Sequence, residues 1–117
     1  MKTRSILLAA TLMFAADAAL AQTVKVVGSG SLKCSEWMLE ARNQGAGYLR
    51  TQEWMLGYLR GVSDASTTPL QVDPFASIDV VAMNAWLEAF CRANPLESIY
   101  RATGVLAAEM LKGARKQ

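Results

Sequence analysis

The chain has 117 residues, 52% of them hydrophobic and 19% charged, with a formal net charge of +2 and no histidine. A chain of that length holds one domain around one core, which excludes a multidomain enzyme. The absence of histidine removes the usual general base, the usual zinc ligand and the one side chain that ordinarily titrates near neutrality.

Lys2 and Arg4 precede a mostly apolar run over 6–16, and Ala19-Leu20-Ala21 has the small-x-small pattern that signal peptidase accepts. Residues 1–21 are therefore expected to be a cleaved secretory signal peptide, and 22–117 a single helical domain in which 22–33 form an extended arm. The run is shorter than the roughly 20 apolar residues a bilayer-spanning helix needs, so no membrane anchor is expected. The product would be periplasmic or secreted. Setting aside Lys2, Arg4 and Asp17 leaves ten basic and nine acidic side chains, a formal charge of +1. That balance calls for no nucleic-acid partner, and Lys112, Arg115 and Lys116 suit the negative end of a closing helix.

Cys34 and Cys91 are the only cysteines. An exported chain meets an oxidising compartment, so the two are expected to pair. No Cys-x-x-Cys pair or activating histidine supports a redox or nucleophilic thiol, and two sulfurs alone do not make a tetrahedral metal site. No metal and no cofactor are expected. The glycines of Gly28-Ser29-Gly30-Ser31 lack the spacing of a phosphate loop and read as a flexible turn.

A first helix is expected over 35–42, with Glu36 in its first turn and a stop at Asn43-Gln44-Gly45. A second runs from Tyr48 or Thr51 to Ser63, where Met55, Tyr58, Leu59 and Val62 share one stripe. Gly57 and Gly61 lie four apart on that helix and are expected to admit a close neighbour, since each costs about 1 kcal/mol in helix propensity. Residues 64–78, with Pro69 and Pro74, read as one long connection whose Leu70, Val72 and Phe75 pack down as a lid. A third helix starts at Ser77 or Asp79 and turns Val80, Met83, Leu87 and Phe90 inward, with Glu88 and Arg92 paired outside. Asn94, Pro95 and Glu97 form a helix-start signal for the fourth: Asn as N-cap, Pro at N1, Glu closing a capping box. Leu96, Ile99, Thr103, Leu106 and Met110 then face one side, with Glu97 paired to Arg101. The expected fold is all-α, a small single-domain bundle of about four helices with one disulfide.

Cys34-Ser-Glu-Trp37, followed much later by Cys91-Arg-Ala-Asn94-Pro95-Leu-Glu-Ser-Ile99-Tyr100, resembles the HdeA/HdeB family of periplasmic acid-stress chaperones over about 34–110. The resemblance implies a helical fold without cofactor, a homodimer at neutral pH, and opening in acid to hold unfolded clients. The helix carrying Gly57-Tyr58-Leu59-x-Gly61 is also similar to the Rap/Tai type of immunity protein, which implies a toxin as protein partner. An unspecialised periplasmic binding protein is the third reading.

Nine carboxylates in 22–117 permit an acid switch, which without histidine must act at roughly pH 3 to 5. Trp37, Trp54, Tyr58 and Trp86 are the candidate partner or client surface. Asp64, Asp73 and Asp79 have ordinary helix-end, turn and cap roles, and no activating constellation accompanies them. The chain is therefore not expected to be an enzyme.

Overall fold

A computed structural model describes residues 25–70 and 73–116. The expected signal peptide, the start of the arm and Val72 lie outside the described residues, as does the side chain of Leu70. The described chain is all-α: α1 (Cys34–Asn43), α2 (Ala46–Leu70), α3 (Val80–Ala93) and α4 (Ile99–Ala114), preceded by a 3-10 turn at Gly28–Ser31. Among the described residues the only β feature is an isolated antiparallel bridge between Lys33 and Ser98. No described helix is long and apolar enough to cross a membrane.

The arm is docked. Ser31 closes the 3-10 turn by donating its hydroxyl to the Gly28 carbonyl, and Gly30 is buried against the ring of Trp54. α1 starts at Cys34 and stops at Gln44, whose φ of 45° is left-handed.

The second helix runs seven residues past the expected stop. Ser63 is buried, Arg60 pairs with Asp64 at 3.0 Å, and the Thr67 hydroxyl donates to the Ser63 carbonyl at 2.7 Å. These local links carry the helix through a stretch whose Ser, Thr and Pro composition reads as loop. Pro69, which has no amide hydrogen to give, lies one residue before the end.

α3 begins as expected: the Asp79 carboxylate caps it by accepting from Val81 N at 2.9 Å, and Met83, Leu87 and Cys91 are buried. The start of the last helix does not follow the sequence signal. Asn94 is the C-cap of α3, where both its backbone and its side-chain nitrogen donate to the Phe90 carbonyl at 2.9 Å. Ser98 is the N-cap of α4 and accepts from Arg101 N at 3.1 Å. Pro95 and Glu97 lie in the turn between. The reason is where their carbonyls go. Pro95 O accepts from Ser35 N at 3.0 Å and Glu97 O from Cys34 N at 2.8 Å. The turn thus satisfies two of the unpaired amides at the start of α1, and those carbonyls cannot also build a first turn of α4. Displaced from the helix, Leu96 is 79% exposed and Glu97 does not pair with Arg101.

The core gathers Cys34 and Trp37 from α1, Met55 and Leu59 from α2, Leu87 and Cys91 from α3, and Ile99, Ala102 and Leu106 from α4. Thr51 and Thr103 are also fully buried. The Thr103 hydroxyl donates to the Ile99 carbonyl, whereas the Thr51 hydroxyl has no partner among the described residues.

Candidate functional site

Cys34 and Cys91 are bonded, with their Cα atoms 4.9 Å apart and both residues fully buried. The bond ties the first turn of α1 to the last turn of α3, beside the start of α4. Trp37 lies three residues after Cys34, hence on the same face of α1, and is only 2% exposed. It stacks on Tyr48 at 6.3 Å between ring centres. Trp37 is a core residue of this fold, covered from solvent.

Between α2 and α3 the chain crosses as a strap, residues 73–79. Its anchor is Asp73, one carboxylate oxygen of which accepts from the Ser63 hydroxyl and from Phe75 N. The second of these bonds closes a tight turn on the aspartate side chain. Two further backbone bonds, Ala76 N to Asp73 O and Ile78 N to Phe75 O, keep the strap folded. So held, Phe75 drops into the core at 7% exposure, the lid role expected of it. Beneath the strap is a cavity of about 260 Å3 lined by Leu56, Leu59, Arg60 and Ile78. The Ser63 hydroxyl, then the Phe75 amide and the nearby Arg60 guanidinium, hold the Asp73 carboxyl below its ordinary range.

Other carboxylates also sit at junctions. Glu36 accepts from Lys33 N at 2.7 Å ahead of α1, Asp79 caps α3, and Glu109 on α4 accepts from the Trp86 indole on α3 at 3.1 Å. Glu88 pairs with Arg92, and Asp64 with Arg60. Six of the nine acidic side chains in the described residues therefore act as acceptors in the fold. No three histidine, cysteine, aspartate or glutamate side chains cluster among the described residues.

The remaining aromatic candidates are half-buried and divide into two groups. Trp54 stacks on Tyr58, and Tyr58 meets Tyr100 edge-on, both at 5.7 Å, in a run from the 3-10 turn across α2 to α4. Burial, with Tyr100 beside it, pushes the Tyr58 phenol above its ordinary value. Trp86 stacks on Phe90 at 5.3 Å on the opposite side of α4. A groove of about 530 Å3 opens beside Tyr58 and Tyr100 along α4.

Gly57 and Gly61 admit no other helix among the described residues. Both are exposed, and a Cβ at either would meet nothing within 4 Å. The stripe of α2 that faces the core is carried by Thr51, Met55 and Leu59, on the side away from both glycines. A glycine at which the fold leaves no room for a side chain is Gly30, where a Cβ would fall within the Trp54 ring. The sequence reading also passed over Asp73 as an anchor. Its signal was the Asp73-Pro74-Phe75 triplet, a turn former followed by a large apolar residue.

Comparison of the chain with models of protein families, with curated proteins and with solved structures finds no match.

Proposed function

We propose that this chain is an exported, acid-responsive holdase of the HdeA/HdeB kind, closed at neutral pH and opened by protonation so that its core surfaces bind unfolding proteins. One observation carries the reading: four joints of the fold are closed by carboxylate acceptors. Asp73 pins the strap, Glu36 and Asp79 serve helix starts, and Glu109 ties α4 to α3. An ionised carboxylate accepts such bonds more strongly than a neutral one, so the strap's joint weakens as Asp73, held below its ordinary range, takes up a proton.

For Asp73 the sign follows from its lowered pKa. Its stabilisation is complete above the ordinary carboxylate value and is lost as pH falls through the lowered folded value. Release of the strap uncovers Phe75, Leu56, Leu59 and Ile78, an aliphatic and aromatic surface suited to non-specific capture. Meanwhile ten basic side chains stay charged as nine acidic ones are neutralised, and self-repulsion favours the open form. The disulfide, which does not titrate, keeps α1, α3 and the start of α4 together.

The test is suppression of client aggregation by the oxidised protein from pH 7 to pH 2, with binding of an apolar dye measured in parallel. Activity and dye binding should both appear below about pH 4, the ordinary carboxylate range, and be absent at pH 7. A protein that stays closed to dye at pH 2, or that shows no holdase activity there, sinks this reading.

A further inference from the structure

We infer that Tyr58 and Tyr100 form a site of oxidative cross-linking, at which a peroxide, acting through a one-electron catalyst of the haem peroxidase class, joins the two phenol rings carbon to carbon and ties α2 to α4. The chain has three tyrosines. Tyr58 and Tyr100 come from different helices, yet their ring centres lie 5.7 Å apart and edge to face, the separation of rings in contact. Trp54 stacks on Tyr58 and holds that ring in place, while the Tyr58 hydroxyl lies over Gly104, where a Cβ would stand 3.5 Å from its oxygen. Gly104 is one turn along α4 from Tyr100, so both phenols occupy the same stretch of that helix. Both also line the groove of about 530 Å3, open to a small oxidant, and Tyr100 is 36% exposed, so its ring can turn against Tyr58. The third tyrosine is placed otherwise. Tyr48 lies ten positions back along α2, about 15 Å away, where it stacks on Trp37 and its hydroxyl accepts from Asn84 of α3.

Each phenol gives one electron and its hydroxyl proton to the oxidant, and the unpaired electron left behind is shared onto the ring carbons ortho to the oxygen. Two ortho carbons, one from each ring, then join. The hydrogen each carried leaves as a proton while its oxygen takes one up, which restores both phenols. Overall one carbon–carbon bond forms and two carbon–hydrogen bonds break, and the two electrons and two protons released reduce one hydrogen peroxide to two waters. No free thiol competes for the oxidant, because both cysteines are in the buried disulfide, and Met55, next to Trp54, is fully buried. The product closes the chain a second time. α4 lies outside the loop closed by Cys34 and Cys91, so the new bond secures the one helix that the disulfide leaves without a covalent tie. Like any cross-link, it stabilises by restricting the unfolded chain.

The test treats the folded, disulfide-bonded chain at pH 7 and low protein concentration with a haem peroxidase and limiting hydrogen peroxide. The single chain should lose the mass of two hydrogens and gain dityrosine fluorescence. Trypsin should then release 51–60 joined to 93–101, the segments that hold Tyr58 and Tyr100. Tyr48→Phe should cross-link as wild type does, whereas Tyr58→Phe and Tyr100→Phe, each checked for folding by circular dichroism, should lose the fluorescence. In urea strong enough to unfold the chain, the preference for this pair should vanish and Tyr48 should enter the products. The cross-linked chain should also unfold at a higher urea midpoint than the untreated one. The peptide map of wild type decides the matter without any variant: no dityrosine in the single chain, a dityrosine that includes Tyr48, or cross-links found only between chains overturns the assignment. The acid-holdase reading is tested separately at low pH and survives any of these results.

Discussion

At Gly30 an added methyl group would fall within the indole of Trp54, whereas at Gly61 it would meet open space. Side-chain packing therefore decides the sign of the same substitution at two positions. Gly30→Ala should destabilise the fold by about 1 to 3 kcal/mol, because the half-buried ring must move. Gly61→Ala should stabilise it by up to about 1 kcal/mol, the helix-propensity gain with nothing to oppose it. Urea unfolding of both variants at low protein concentration checks the pair. If both lose stability equally, the two glycines do not differ as described. Spacing alone did not make this distinction legible. Gly57 and Gly61 share a helix face, which is visible in the sequence, but whether that face meets the core depends on Thr51, whose buried hydroxyl gives no such hint.

Among the elements, α3 was the most legible. Its Asp79 cap, its inward Met83 and Leu87 and its Glu88–Arg92 pair all follow from spacing, because the helix is amphipathic and its determinants are local. The start of α4 was misread for the opposite reason. Asn94-Pro95-Leu96-Glu97 satisfies every local rule for a helix start, yet the amides of Cys34 and Ser35, some sixty positions earlier, take the carbonyls of that turn. The strap was legible as a connection carrying Phe75 inward, but its anchor was not, since Ser63 reads as the end of a helix and not as a donor to Asp73. The anchor makes its own prediction. Asp73→Asn keeps the shape and removes the charge, so amide hydrogen exchange at Phe75 and Ile78 should be faster than in wild type at pH 7. As pH falls through the folded value for Asp73, wild type loses the same charge and the difference should disappear. A constant ratio of exchange rates from pH 7 into acid would show that the carboxylate charge does not hold the strap.

For the molecule as a whole, the disulfide is the largest single constraint. It joins residues separated by 57 positions, and closing a loop of that size stabilises by about 4 kcal/mol on the chain-entropy account. A domain of this length has only a few such increments in total. Reduction, or the double replacement Cys34→Ala with Cys91→Ala, should therefore remove a large share of the stability at neutral pH. Urea midpoints with and without a reductant, taken after complete unfolding and refolding, measure it. Because both cysteines are fully buried, reduction of the native protein should also be slow, governed by how often the fold opens. Equal midpoints for the oxidised and reduced chains would show the bond to be energetically idle.

The same bond gives the molecule the outline of a ring with two tails. The chain from Cys34 to Cys91, holding α1, α2, the strap and most of α3, is covalently closed, while residues 25–33 and 92–116 hang from one seam. Those tails are stitched together beside the seam by the Lys33–Ser98 bridge and by Ile99 N donating to Leu32 O at 2.9 Å. Tension applied at the two ends therefore falls first on this short seam and peels α4 away as a unit. The ring lies outside the line of force, so its contour of roughly 200 Å, at about 3.5 Å per residue, stays hidden from the extension until the sulfur bond itself is cut.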